Sequence, residues 1–259
     1  MRDSGFKDIT KEYMGNSFAL STLDISSIRK RVEQHGNAAY RSLLTEWEYE
    51  YFDTRKILKR KCDFLSGRLA GKKAAREYLD SSEIRAGKNL RFNDIEIMRT
   101  DTGAPSVHVD DKQSDLLISI SHSGTCAVSI VSGEMNYRGI GIDIEHIEKR
   151  DISFLDLVFN DGEIAKLEIE NKCDSGEFDT GLNENITRCW TIKEAILKSL
   201  GLGLNVDLKD IDIIEPDTSN LHFEIKDEVK SKYDQLKAAY IKVDTFKMDE
   251  YVVSISRIH

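Results

Sequence analysis

Proline is almost missing from this chain, with two in 259 residues, and no segment has a biased composition, which excludes proline-rich linkers and extended spacers. Cysteine is sparse as well. Cys62, Cys126, Cys173 and Cys189 stand far apart with no Cys-x-x-Cys pair, so neither a zinc spacing nor a disulfide framework is indicated and free thiols are expected. No apolar run approaches the roughly 18 residues needed to cross a bilayer. The start, Met1-Arg-Asp-Ser-Gly-Phe-Lys-Asp, lacks the basic, apolar and small-residue succession of a secretory signal. A cytoplasmic protein without a membrane anchor is the expectation. Hydrophobic residues make up 40% of the chain, enough to bury one large core or two medium ones.

Charge is present in quantity and unevenly spread. Residues 1–133 hold 21 Lys and Arg against 19 Asp and Glu, whereas residues 134–259 hold 16 against 27. The change of balance near Gly133 places a boundary there, with lobes at 1–133 and 134–259. Between Arg55 and Arg76, nine basic residues face the single acid Asp63. Leu58, Cys62, Leu65 and Leu69 recur in that window at helical spacing, so the charges surround an amphipathic helix. A solvated helix face is the bland reading; so lopsided a ratio points to a polyanionic ligand.

The first fifty residues read as helical, with Ser26-Ser27 as a capped start and Gly36 as a stop. A second helix is predicted from about Leu43 into the basic stretch. Strands follow at 94–99, 116–121, 126–131 and 138–145, with turns at Ser123-Gly124 and Ser132-Gly133. Residues 151–171 are helical in pattern, and the polar stretch from Asn171 to Asn185 reads as a surface loop. A helix around Trp190 ends at Gly201-Leu-Gly203. Four more strands are expected near 210–214, 221–225, 238–243 and 251–258. Helices and strands do not alternate strictly, which argues for an α+β fold over a doubly wound sheet.

Three segments bear chemistry. In Arg138-Gly-Ile-Gly-Ile-Asp-Ile-Glu145, a period-two strand buries Ile140, Ile142 and Ile144 and sets Asp143 and Glu145 side by side, beside a glycine that permits close approach to the backbone. Acids on an exposed edge strand would look the same. In Trp190-Thr-Ile-Lys-Glu-Ala-Ile-Leu-Lys198, Trp190, Glu194 and Lys198 share one helical stripe, which could equally be an ordinary Glu–Lys pair worth about 0.2–0.5 kcal/mol. Ser121-His122-Ser123-Gly124 closes a strand, so His122 can offer a hydrogen bond to a phosphate oxygen or be a plain turn histidine. Ser121 points to the opposite face and is badly placed for activation by His122. Three acids and a lysine suit a hard divalent cation holding a phosphate.

Taken together, His122-Ser123, Gly141-Ile-Asp143-Ile-Glu145 and Trp190-Thr-Ile-Lys193-Glu194-Ala-Ile-Leu-Lys198 resemble the signature motifs of the 4′-phosphopantetheinyl transferases, of the larger, pseudo-dimeric surfactin-synthetase-activator type. The resemblance extends upstream through Phe64-Leu-Ser-Gly67-Arg68-Leu-Ala-Gly-Lys72 and the Gly103-x-Pro105 turn, and so spans about 43 to 203. It departs at Ala104, where the family commonly has lysine, at Ser119, where asparagine is frequent, and at Thr191, where serine is frequent.

What the resemblance implies is an α+β, 4′-phosphopantetheinyl transferase fold: two similar α/β lobes related by a pseudo-twofold, with the site between them, in a monomer. It implies Mg²⁺-dependent transfer of the phosphopantetheine arm of coenzyme A to a serine of an apo acyl or peptidyl carrier protein, releasing adenosine 3′,5′-bisphosphate. Asp143, Glu145 and Glu194 would hold the metal. His122, Ser121, Gly103 and Lys198 would contact coenzyme A, and Arg60, Lys61, Arg68 and Lys72 on the basic helix would receive its 3′-phosphate. Glu194 is the first candidate base for the carrier serine and Lys193 the second. The expected carrier surface is Lys149 and Arg150 with Phe154, Leu155, Val158 and Phe159. The rival readings are a metal-dependent phosphodiesterase or nuclease, and a non-catalytic coenzyme A or carrier-protein binding module.

Overall fold

Residues 17–81, 90–166, 180–215, 221–233 and 240–259 are described in a computed structural model of the chain. Cys173, the expected loop from Asn171 up to residue 179, and residues 234–239 at the expected start of the strand near Ala238 fall outside them.

The chain runs through one pattern twice. On the first pass a strand, β1 (Ala19–Asp24), is followed by helices α1 (Ile25–His35), α2 (Glu46–Thr54) and the long α3 (Leu58–Ser81), then by the hairpins β2 (Ile95–Arg99) with β3 (Pro105–Val109) and, after the short β4 (Lys112–Gln113), β5 (Leu116–Ser123) with β6 (Cys126–Gly133). On the second pass β7 (Gly139–His146) leads through α4 (Ile152–Val158) and α5 (Asp161–Lys166) to the long α6 (Thr180–Leu200). The hairpin β8 (Ile211–Glu215) with β9 (His222–Ile225), α7 (Asp227–Lys232), and the hairpin β10 (Ile241–Met248) with β11 (Tyr251–Ile258) complete it. Each pass builds a three-stranded antiparallel sheet of the same order, β1-β6-β5 and β7-β11-β10.

The repetition reaches individual side chains. Lys72 of α3 pairs with Glu48 of α2, both fully buried, while Lys193 of α6 pairs with Glu163 of α5 at 2.6 Å. Each glutamate caps its own helix through a capping box, accepting from Thr45 N and Asn160 N at 3.0 Å in both cases. With its other oxygen each accepts from a hairpin strand, Glu48 from Ile97 N at 3.0 Å and Glu163 from Ile213 N at 2.8 Å. Each ammonium also donates to backbone carbonyls, Lys72 to Leu43 and Phe92 and Lys193 to Val158. One device therefore fastens long helix, short helix and hairpin in both lobes.

Helices α3 and α6 cover the outer faces of the two sheets. The inner faces meet in a shared core where Leu20, Val128 and Ile130 pack against Ile140, Ile142, Ile144, Val253 and Ile255. At the seam β5 runs beside β7, joined by serine hydroxyls: Ile142 N donates to Ser119 Oγ at 3.1 Å, and His146 N to Ser123 Oγ at 3.2 Å.

Several sequence expectations are corrected. The segment from Ala19 is strand β1, because its apolar residues pair with β6 in register from Ala19 opposite Val131 to Asp24 opposite Cys126. Asp24, whose carboxylate accepts from Ser26 N at 2.9 Å, caps α1 ahead of the two serines. The helix expected from Leu43 is broken into α2 and α3, since Arg55 adopts an extended conformation. Helix α6 begins at Thr180, so the last part of the expected loop is helical.

Candidate active site

Strand β7 alternates as its sequence requires, with the isoleucines toward the shared core and Gly139, Gly141 and Asp143 toward α6. What approaches the glycine backbone is the chain's own helix: a Cβ on Gly141 would lie 2.0 Å from the Ala195 carbonyl oxygen, and one on Gly139 2.1 Å from that of Ser199. Only glycine allows α6 to lie so close, and the closeness brings the Glu194 and Lys198 stripe over the acids of β7.

Asp143 is 3% exposed. Its Oδ1 accepts from Lys198 Nζ at 2.6 Å and from Ser121 Oγ at 2.7 Å, while its Oδ2 is buried with no partner. Glu145 Oε2 accepts from Ser123 Oγ at 2.7 Å and lies 3.8 Å from Arg150 Nη2. Burial first and the Asp143 charge second push the Glu145 carboxyl up to about 7. The same two causes, in the same order, raise Glu194, against the opposing pull of Lys198. Three carboxyls thus share one partly dry space with a single ammonium. Among the described residues no three such groups close into a ready-made metal cage, and Lys198 takes Asp143 Oδ1. The unpartnered Asp143 Oδ2 and the two raised glutamates are nevertheless the donor set a hard divalent cation takes, and its charge would favour their ionised forms against the burial and like-charge repulsion that raise them.

Beside the acids opens a cleft of about 570 Å³, whose walls include Arg55, Arg60, Phe64 and Arg68 from the basic region, Arg99 and Thr102–Pro105 from the β2–β3 hairpin, Ser119 and His122 from β5, and Lys198 from α6. It gathers the basic helix, the Gly103-Ala-Pro105 turn, His122 and Lys198, which are scattered in sequence. Arg99 was not singled out from sequence, and Arg55 entered only as the first of the nine basic residues of the 55–76 stretch, not as a contact residue. Neither lies on the periodic part of a helix, so no spacing aimed either at the cleft.

Other expectations fail. Lys72 cannot receive a ligand, being 0% exposed and bound to Glu48. Lys61 lies over the Phe52 ring, 5.1 Å from its centroid, away from the cleft lining. Ser121 is buried, with its hydroxyl committed to Asp143. Lys193 is 0% exposed and tied to Glu163 and the Val158 carbonyl, which removes it as a base. Leu155, Val158 and Phe159 are core, whereas Ile152 and Leu157 on α4 stand out at 70% and 67% exposure. Arg150 is held between the Phe154 and Trp190 rings, 5.0 and 4.8 Å from their centroids.

Residues 139–256 match the family described as the 4′-phosphopantetheinyl transferase superfamily. A holo-[acyl-carrier-protein] synthase of Listeria innocua is 31% identical over 119 residues, which are 46% of this chain and 97% of that protein. One from Streptococcus thermophilus is 35% identical over 115 residues, 44% of this chain and 92% of that protein. Among solved structures, a Bacillus anthracis holo-(acyl-carrier-protein) synthase in complex with CoA (3′,5′-ADP) aligns at 27% identity and a TM-score of 0.36, covering 44% of this chain and 92% of that one. The matched span contains β7 and α6, and with them all three acids and Lys198; this chain belongs to the 4′-phosphopantetheinyl transferase superfamily.

Proposed function

We propose that the chain transfers the 4′-phosphopantetheine arm of coenzyme A to a serine hydroxyl of an apo acyl or peptidyl carrier protein. The observation that carries this reading is the junction of an arginine-lined cleft with a buried carboxylate cluster, bridged by Lys198. The serine oxygen forms a bond to the phosphorus bearing the pantetheine, the bond from that phosphorus to the bridging oxygen breaks, and adenosine 3′,5′-bisphosphate leaves with the electron pair. Such a transfer is promoted chiefly by positioning and charge neutralisation.

Asp143, Glu145 and Glu194 would hold Mg²⁺, which supplies charge neutralisation at the pyrophosphate. Lys198 and His122, both on the cleft wall, stabilise the phosphate oxygens as charge builds on them. Glu194, with its raised pKa and half-buried position, takes the serine proton. Arg60 and Arg68 face the nucleotide end, and Gly103 lines the turn beside it. The carrier docks over α4, where Lys149 is exposed beside Ile152 and Leu157. The lobes are 1–133 and 134–259 in a cytoplasmic monomer.

The test is incubation with coenzyme A, Mg²⁺ and an apo carrier protein, followed by intact-mass measurement. A carrier heavier by one phosphopantetheine arm, with adenosine 3′,5′-bisphosphate in equal amount, is the expected result. Unmodified carrier with hydrolysed diester would establish a phosphodiesterase, and binding without turnover a non-catalytic module.

A further inference from the structure

The β5–β6 hairpin turns through Gly124 and Thr125, two residues between the paired Ser123 and Cys126, and Gly124 takes the positive φ of +54° that such a turn asks of its first residue. The tip is exposed, yet it is held from two sides. Ile25 N, at the start of α1, donates to the Thr125 carbonyl at 2.8 Å within the same lobe. From the other lobe comes Tyr251, the first residue of β11: its hydroxyl accepts from Thr125 N at 3.0 Å and shares a hydrogen bond with Thr125 Oγ1 at 3.0 Å. The fit is close, since a Cβ on Gly124 would lie 2.7 Å from that hydroxyl. The Tyr251 ring is itself fixed, set edge-on to His146, its register partner on β7, with centroids 5.1 Å apart.

The turn matters for what it carries. Ser123, one residue before Gly124, donates from Oγ to Glu145 Oε2 at 2.7 Å and accepts from His146 N at 3.2 Å. With its proton committed to the carboxylate and a lone pair to the amide, the hydroxyl has one orientation, and it holds the Glu145 side chain in one rotamer. A hydrogen bond of this kind behind a carboxylate ligand sets which oxygen is offered to a cation. Tyr251 and Ser123 are thus successive links from β11, through the tip of the β5–β6 hairpin, to the acids of β7. The link adds little to stability, because Thr125 is exposed and Tyr251 only half-buried, so water can replace either partner. Its effect is on position.

We infer that Tyr251 is a positioning residue for the metal ligand Glu145, acting through the β5–β6 turn and the Ser123 hydroxyl. The inference rests on the reading of Asp143, Glu145 and Glu194 as the acids that hold the divalent cation. It adds that the orientation of one of them is set by a phenol from the C-terminal hairpin and a turn from the first lobe. Cation affinity then depends on how the two lobes are seated against each other. In Tyr251→Phe the ring keeps its place against His146 while the hydroxyl is gone, so the turn is released on one side and Ser123 no longer meets Glu145 in a single geometry.

Mn²⁺ binding is measured on the full chain by electron paramagnetic resonance of the free ion, with and without adenosine 3′,5′-bisphosphate, beside a thermal melt. Ser123→Ala should weaken Mn²⁺ binding about 10- to 100-fold and Tyr251→Phe about 3- to 10-fold, both melting close to wild type. Because the phenol acts through the serine, adding Tyr251→Phe to Ser123→Ala should cost no further affinity. Ser123→Thr, which keeps a hydroxyl at that position, should retain most of the binding. In the carrier mass-shift assay the Tyr251→Phe loss should shrink as Mg²⁺ is raised to saturation. Wild-type affinity in Tyr251→Phe, losses that multiply in the double variant, or a fall in melting that tracks the loss of binding would overturn the positioning role. Wild-type protein that bound no Mn²⁺ in either condition would overturn the metal reading with it. Wild-type protein that bound Mn²⁺ but left carriers unmodified would overturn the transferase reading alone, since the variants' binding data support or refute the positioning role by themselves.

Discussion

Lys193 and Lys198 sit five residues apart on α6 and should respond to mutation in opposite ways. Lys193 is fully buried, and its ammonium holds Glu163 at 2.6 Å and the Val158 carbonyl at 2.9 Å. In Lys193→Met, Glu163 keeps its bonds from Ile213 N and Asn160 N but becomes an uncompensated buried charge at 2% exposure. Breaking a buried pair in this way costs about 3–5 kcal/mol. With about 2–4 °C per kcal/mol for a chain of this size, the melting temperature should fall by roughly 6–20 °C. Replacing both partners, as in Lys193→Met with Glu163→Gln, should recover much of that loss, because the glutamine oxygen can still accept from one amide and no charge is stranded. Lys72→Met should produce a drop of the same order from the other lobe, far from the acids. Lys198, at 28% side-chain exposure, should behave otherwise: Lys198→Ala takes the ammonium from Asp143 but opens that carboxylate to water and leaves its bond from Ser121, so melting falls by less than in Lys193→Met while turnover falls about 100- to 1,000-fold. The assays are a thermal melt and a carrier mass-shift time course for each variant. A Lys193→Met protein with wild-type melting and no turnover would refute the structural assignment and return Lys193 to the chemistry.

Asp143→Asn should abolish most carrier modification while lowering the melting temperature only modestly, since the amide oxygen can still accept from Lys198 and Ser121 and the amide nitrogen takes the place of an oxygen that already has no partner; a large fall in melting would mean Asp143 serves the fold. For Glu145, whose carboxyl is raised to about 7, the native state retains a proton that the unfolded state releases above the ordinary carboxylate range, so this group's contribution to stability declines as pH rises toward 7. Divalent-cation affinity should run the other way, rising through the same window and levelling above it. A titration at several pH values that showed flat affinity, or the same slope in Glu145→Gln, would contradict this. Gly141→Ala would drive a methyl to 2.0 Å from the Ala195 carbonyl, so α6 must move; a destabilisation of at least about 1–3 kcal/mol, with loss of turnover as Glu194 and Lys198 shift, is the expected outcome of melt and assay together.

Much of the acid side of the site was legible because its signals are local. The alternation of Ile140, Ile142 and Ile144 fixed the direction of Asp143, and the four-residue spacing of Trp190, Glu194 and Lys198 matched a half-buried stripe of α6. The cation side was read less well. Periodicity suggested one apolar stripe on the basic helix, but Leu65 to Lys72 of α3 are all buried, so spacing could not tell which basic residues face a ligand and which are enclosed. Lys72 looked like any other lysine of that run until its partner Glu48, 24 residues earlier, came into view. Arg55 and Arg99 belong to a helix end and a strand end, where no repeat points. β1 was misread because a short apolar run has the same composition in a strand as in a helix.

The shared core between the sheets has a consequence for how the protein comes apart. Neither lobe can hide its inner face alone: freed of its neighbour, β7 would show water Ile140, Ile142 and Ile144, and β6 would show Val128 and Ile130. The two halves of the repeat are therefore thermodynamically indivisible, and heat or denaturant should dissolve them in a single cooperative step. The arginine-lined wall and the acid cluster, supplied mainly from opposite sides of that seam, are then lost together, and no partly unfolded species keeps the cleft without its acids.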